Sequence, residues 1–210
     1  MNNVIVTGAR GALGSATCDY LESRHWNVIR IDSATVDLTN HALVLDFVRN
    51  LDHVPQALVH TVGGIRAGSG IEETSIEDFE WNLTINLSTT FNIINAVMPL
   101  FIKAGQGSIV TIGARDVLHP QANRSAYAAA KAAVVALTRT VAEEGLPNGV
   151  RANVIVPSIL RTPANLEWAD KHESQKWLTP TDVAHTIFHL IQPECGINGS
   201  VIPMYGKVAF

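Results

Sequence analysis

Three glycines spaced three residues apart, Gly8, Gly11 and Gly14, follow a short apolar run, Asn3-Val4-Ile5-Val6-Thr7, and open a segment with helical spacing. A buried strand delivered through such a turn into a helix is the starting unit of a parallel sheet, because the glycines let helix and strand pack at close range. The turn Gly8-Ala9-Arg10-Gly11-Ala12-Leu13-Gly14 also lets a pyrophosphate approach main-chain N–H groups at the positive end of the helix. A second apolar run, Asn27-Val28-Ile29-Arg30-Ile31, ends in Asp32. A carboxylate there accepts the hydroxyls of an adenosine ribose and repels a 2′-phosphate, which favours NAD(H). Arg10 keeps NADP(H) possible: its guanidinium can neutralise a 2′-phosphate or simply pair with Asp32.

The alternation continues along the chain. Ala57–His60, Ser108–Ile112, Val150–Val156 and Ser200–Met204 read as further strands. Helical spacing falls between Thr39 and Asn50, between Thr74 and Lys103, from Ser125 to Thr140, and after Thr179, where Pro180 and Asp182 complete a capping-box variant. The expectation is one α/β domain over residues 1–210, a Rossmann-type doubly wound parallel sheet with helices on both faces. A chain of 210 residues with 47% apolar content can bury one full core. A net charge of -4 without runs of like charge predicts no nucleic-acid or anionic-membrane partner. Cys18 and Cys195 lack CxxC spacing, so neither a metal site nor a disulfide framework is expected, and a reducing cytoplasm fits. Neither a leader nor a membrane span is expected, since no basic stretch precedes the first apolar residues and no apolar run approaches the ~20 residues of a span.

An Ala-rich helix follows the strand Ser108–Ile112 and carries Tyr127 and Lys131 one turn apart on one face. An ammonium beside a phenol lowers its pKa, and such a tyrosine can trade protons near neutral pH. The same pair also reads as an ordinary i,i+4 contact on a solvated face. Its alanine neighbours leave room for backbone, ligand or a second subunit to approach, and a homodimer or homotetramer is expected.

Thr7-Gly8-Ala9-Arg10-Gly11-Ala12-Leu13-Gly14 resembles the TGxxxGxG motif of the short-chain dehydrogenase/reductase superfamily, and Tyr127-Ala128-Ala129-Ala130-Lys131 resembles its YxxxK. The resemblance covers nearly the whole chain. It implies the strand order 3-2-1-4-5-6-7, with the active site at the carboxyl ends of the strands. It also implies that Asp37-Leu38 lies beside the adenine and that Gly63, in Thr61-Val62-Gly63-Gly64, corresponds to a glycine of the family's NNAG. His60 replaces an asparagine there and reads as a hydrogen-bonded structural histidine. Asn86 matches the asparagine that kinks a helix and holds a water linking the lysine to solvent; alternatively it only back-bonds within its helix. Pro157, Ile159 and Thr162 fall where the family contacts nicotinamide amide and pyrophosphate. Pro163–Trp177 reads as a lid or as a surface excursion with Trp168 and Trp177 packed inward.

One departure stands out. The family's serine, thirteen residues before the tyrosine, is Ala114 here. Quinonoid dihydropteridine reductase lacks that serine too, and the chain is partly similar to it in the Arg10–Ser15 turn, in Gly113-Ala114-Arg115 and in Trp177-Leu178-Thr179-Pro180. The resemblance implies an NAD(P)H-dependent oxidoreductase acting on a small-molecule carbonyl or C=N/quinonoid substrate. Tyr127 would be the proton donor, Lys131 would lower its pKa and bind ribose, and Asn86 would anchor the relay. The alternative from another class is a catalytically weak or inactive nucleotide-binding regulatory protein.

Overall fold

The computed structural model describes residues 2–208. Strands β1 (Asn3–Thr7), β2 (Asn27–Ile31), β3 (Ala57–His60), β4 (Gly107–Ile112), β5 (Val150–Pro157) and β6 (Val201–Met204) form one sheet in the order β2-β1-β3-β4-β5-β6. Every pairing is parallel. The central strands are buried on both faces, which is why they read as continuous apolar runs. Side chains alternate about the sheet: Val4 and Val6 enter one core with Leu21, Ile187 and Leu190, while Ile5 enters the other with Ile93, Val97 and Phe101. Helices α1 (Ala12–Ser23) and α8 (Pro180–Ile191) carry residues of the first core. Helices α2 (His41–Arg49), α4 (Thr89–Ala104) and α5 (Ser125–Gly145) carry those of the second.

The expected sheet had seven strands; six form among the described residues, and the missing one is the outer strand beyond β2. Segment 32–40 is too short for a crossover and a strand, since a parallel connection needs about a dozen residues. Its amides are also spent locally, with Thr35 and Val36 donating to the Asp32 carbonyl and Asn40 to that of Asp37. Asn40 then caps α2. The capping box predicted at Thr179 is present, with both reciprocal bonds to Asp182.

Helix α3 (Ile76–Leu83) runs through a π-helical turn, Thr84–Ser88, into α4. The joined helix, Ile76–Ala104, is 29 residues long, with a stretch of mean hydropathy 1.4, so one element is long and apolar enough to cross a membrane, contrary to the sequence expectation. The hydropathy has another cause: half of that stretch is buried within the protein, where Ile93, Val97 and Phe101 pack on the sheet. Two short helices, α6 (Pro163–Leu166) and α7 (Lys171–Ser174), lie in the segment between β5 and α8.

The chain leaves β1 for β2 on one side and returns to β3 on the other. That reversal opens a crevice beyond the carboxyl ends of the strands, the place where open parallel sheets bind ligands.

Candidate active site

The glycine turn borders the crevice. Gly8 adopts φ +72°, and the Gly11 amide donates to its carbonyl at 2.8 Å. A Cβ on Gly14 would lie 2.1 Å from the Gly8 oxygen and 2.9 Å from the Thr61 hydroxyl, so α1 seats on the turn only because that side chain is absent. Gly11 precedes α1 without a side-chain cap, and no acidic residue occupies the first turn. The helix end is therefore open and suited to an anion. Arg10 pairs with Asp32 at 2.9 Å, with Arg10 72% exposed and Asp32 only 17%. Asp32 also accepts the Ala34 amide. Asp37 is exposed and accepts from the amide and hydroxyl of Thr39, bonds that hold its carboxyl below the ordinary range. Leu38 is buried in the second core, so of this pair only Asp37 offers a side chain to the surface.

Beyond the turn is a cleft of about 490 Å³ lined by Leu13, Gly63, Ala114, Tyr127 and Lys131, with Pro157, Ile159 and Thr162 on the β5 side. The Tyr127 and Lys131 pair thus faces inward, and the solvated-face reading does not hold. Lys131 is 4% exposed and donates to the Ile112 carbonyl at 2.9 Å; burial lowers its pKa to about 8. The expected depression of the tyrosine is not seen. Tyr127 is pushed up to about 12, first by burial and then by the Asp116 carboxylate, with Arg124 opposing. The same desolvation penalises phenolate and ammonium alike.

Asn86, 1% exposed, sits in the π turn. Its Oδ1 accepts the Gly64 amide, and its Nδ2 donates to the carbonyls of Gly64 and, one helical turn back, Asn82. It therefore back-bonds as one reading expected and also clamps the loop over the cleft. A Cβ on Gly63 would lie 2.8 Å from Asn86 Oδ1 and 2.9 Å from Lys131 Nζ, so these atoms flank one narrow gap. His60 is fully enclosed, with Nδ1 at 2.8 Å from Thr7 Oγ1 and Nε2 at 3.4 Å from Thr89 Oγ1. Burial, aided by Lys131, lowers its pKa to about 3, which keeps it a neutral structural group.

Ala114 presents no hydroxyl, and neighbouring ones are placed elsewhere. Thr111 Oγ1 is shared with Thr138 at 2.7 Å. Ser125 lines a separate small cavity with Arg66 and Glu73. Thr162 Oγ1 accepts the Asn165 amide as the cap of α6. Asp116, Gln121 and Arg124 line the cleft without any signature in the sequence, and Trp168, from the segment read as a lid or an inward-packed excursion, lines it too. Asp116 lies on a 3-10 turn, Arg115–Val117, 5% exposed, and accepts from Arg124 at 3.4 and 3.5 Å. Trp168 is 63% exposed and stacks near Trp177, which is buried, so the segment after β5 is partly anchored and partly open. These residues lie in aperiodic loops, and only the path of the chain brings them together.

The family model described as Enoyl-(Acyl carrier protein) reductase matches residues 3–206. LinX of Sphingobium indicum, a 2,5-dichloro-2,5-cyclohexadiene-1,4-diol dehydrogenase, is 35% identical over 158 residues; the match covers 71% of this chain and 63% of LinX. This chain thus spans less than two thirds of that relative's length. An oxidoreductase of the short-chain dehydrogenase/reductase family from Burkholderia thailandensis superposes with a TM-score of 0.87 at 25% identity, covering 98% of this chain and 91% of that one. The structure of ElxO with NADP bound superposes with a TM-score of 0.87 at 21% identity, covering 98% and 97%, a likeness of fold. A family match over nearly every described residue, together with the sheet and the glycine turn, leads to one conclusion: the chain belongs to the short-chain dehydrogenase/reductase superfamily.

Proposed function

We propose that this protein is an NAD(P)H-dependent oxidoreductase that reduces a carbonyl or an electron-poor C=N or quinonoid group of a small molecule, with Tyr127 as proton donor. The observation that carries this reading is the meeting of Tyr127 and Lys131 in one cleft beside an uncapped helix end. The glycine turn fits a dinucleotide, because the space a side chain at Gly14 would need is filled by the Gly8 carbonyl and the helix end lacks a cap of its own. When bound, a reduced nicotinamide supplies the hydride.

The residues of this chain supply the rest. Tyr127 holds a proton at its phenolic oxygen across the neutral range and gives it to the substrate heteroatom. Lys131, fixed by the Ile112 carbonyl, places positive charge in the dry cleft and offers its remaining donors to a ribose. Asn86 holds the loop that bears Gly63, and the gap between Asn86 and Lys131 is the start of a relay toward solvent. Asp32 reads the ribose hydroxyls and favours NAD(H), with Arg10 held against it and available to a 2′-phosphate. Leu13, Gly63, Pro157, Ile159 and Thr162 line the cleft, the turn residues Gly8, Gly11 and Gly14 would meet the pyrophosphate, and Asp37, beside the buried Leu38, would face the adenine.

Replacing Tyr127 by Phe tests this reading: turnover should be lost while the dissociation constant of reduced cofactor stays within about twofold, since only the proton donor is removed. A variant that keeps most of its kcat would reject Tyr127 as the donor. Ala114 favours a second reading, a nucleotide-binding protein of weak or absent turnover. It predicts cofactor binding without oxidation of NADH across a panel of ketones, quinones and quinonoid dihydropterin.

A further inference from the structure

Two asparagines one helical turn apart, Asn82 and Asn86, 0% and 1% exposed, grip the segment after Gly63 in the same way. Asn86 Nδ2 donates to the Gly64 carbonyl at 2.9 Å while its Oδ1 accepts the Gly64 amide at 3.2 Å. Asn82 Nδ2 donates to the Arg66 carbonyl at 2.9 Å while its Oδ1 accepts the Arg66 amide at 3.3 Å. The two side chains thus serve residues 64 and 66 as a neighbouring strand would, and they settle where the residue between them points its own polar groups. No peptide bond among the described residues is cis, so the Ile65 N–H lies opposite the Gly64 carbonyl and the Ile65 C=O lies opposite the Arg66 amide. Both therefore turn away from Asn82 and Asn86. Among the described residues neither has a hydrogen-bond partner, and Ile65, 49% exposed, lines the cleft that holds Tyr127 and Lys131.

We propose that the main chain of Ile65 is a recognition edge for the substrate, selecting a planar heterocycle that carries an N–H beside a carbonyl, as a lactam, a cyclic imide or a ureide does. A donor and an acceptor offered side by side by one residue are met together by a ring that presents an acceptor and a donor side by side. A ketone or quinone without the N–H leaves the Ile65 carbonyl without a donor, a loss of about tenfold in affinity. The rest of the cleft suits a flat ring: Ile159 and Leu160 give apolar walls, Trp168 brings an indole, and the volume is about 490 Å³. The edge is set before the ligand arrives, because both asparagines that hold it are buried and fully bonded to the segment. That the ring is a substrate rests on the reduction proposed above; that it binds does not.

The test is calorimetric titration with isatin, a lactam whose adjoining ketone is reducible, and with 1-methylisatin, whose N–H is blocked and whose methyl keeps it off the Ile65 carbonyl. NAD+ is present throughout, so that nothing is reduced. The wild type should bind isatin about tenfold more tightly than 1-methylisatin. Ile65→Pro, which removes the N–H, should bind isatin about tenfold more weakly than Ile65→Ala, which keeps it, with 1-methylisatin changed by less than about twofold. Asn82→Ala, which releases Arg66, should weaken isatin binding by about tenfold and 1-methylisatin by less than about twofold. Equal wild-type affinities for the two compounds, or binding of neither, overturn the proposal whether or not any variant folds. An Ile65→Pro protein that binds isatin as Ile65→Ala does overturns the edge, and Asn82→Ala with wild-type isatin affinity overturns the clamp. Full activity in Tyr127→Phe would instead reject the donor assignment and leave these affinities as they are.

Discussion

Replacing Gly63 by alanine probes the narrowest point of the candidate site. The added methyl would meet Asn86 Oδ1 at 2.8 Å and Lys131 Nζ at 2.9 Å, against ordinary contacts that begin at 3.4 Å. Neither atom yields freely. Asn86 is fixed by three hydrogen bonds to Gly64 and Asn82, and Lys131 by its bond to Ile112. Overpacking of this kind costs about 1–3 kcal/mol. Relief by withdrawing the ammonium would cost a charged hydrogen bond of about 1.5–3 kcal/mol. At roughly 2–4 °C per kcal/mol for a domain of this size, the melting temperature should fall by about 2–12 °C. Moving Lys131 should also lower kcat/KM by about tenfold or more. Differential scanning calorimetry and initial rates with reduced cofactor measure both. Gly196→Ala is the control, since nothing lies within 4 Å of its Cβ position. A Gly63→Ala protein that matches Gly196→Ala in melting and in kcat/KM would refute the gap as described.

Three further outcomes are expected. Asp32→Ala should raise kcat/KM for NADPH relative to NADH by about tenfold or more, because Arg10, now paired at 2.9 Å, is released to meet a 2′-phosphate; steady-state kinetics with both cofactors decide it, and a wild-type preference for NADPH would count against Asp32 as the selector. Ala114→Ser should raise ketone reduction by about a hundredfold while changing reduction of an electron-poor C=N or quinonoid substrate far less, since the restored hydroxyl adds one hydrogen bond to the developing oxyanion; equal ketone rates in the two proteins would sink that account. The exposed alanines of α5, Ala129, Ala132 and Ala136, with the half-exposed Phe91 of α4, should be covered by a second copy, so light scattering at micromolar concentration should give a dimer or tetramer, and a monomer would reject it.

The sequence by itself determined the elements whose causes are local. The strand, the glycine turn and α1 follow from an apolar run and from three glycines in register, of which Gly8 and Gly14 leave no room for a side chain. The start of α8 follows from Thr179, Pro180 and Asp182, and the shared face of Tyr127 and Lys131 from a four-residue spacing. Each depends on neighbours within about one turn of chain. The tertiary structure decided what depends on distant chain. It removed the outer strand, because segment 32–40 spends its amides on its own turns. It gave the Thr111 hydroxyl to Thr138 rather than to the cleft. It also set the charge state around Tyr127: the spacing put Lys131 on the same face, but its ammonium turns to the Ile112 carbonyl, and burial with the Asp116 carboxylate raises the pKa of the phenol against Arg124. A periodic pattern tells which way a side chain points; how dry its surroundings are, and which charges share them, is settled only when segments far apart in sequence meet.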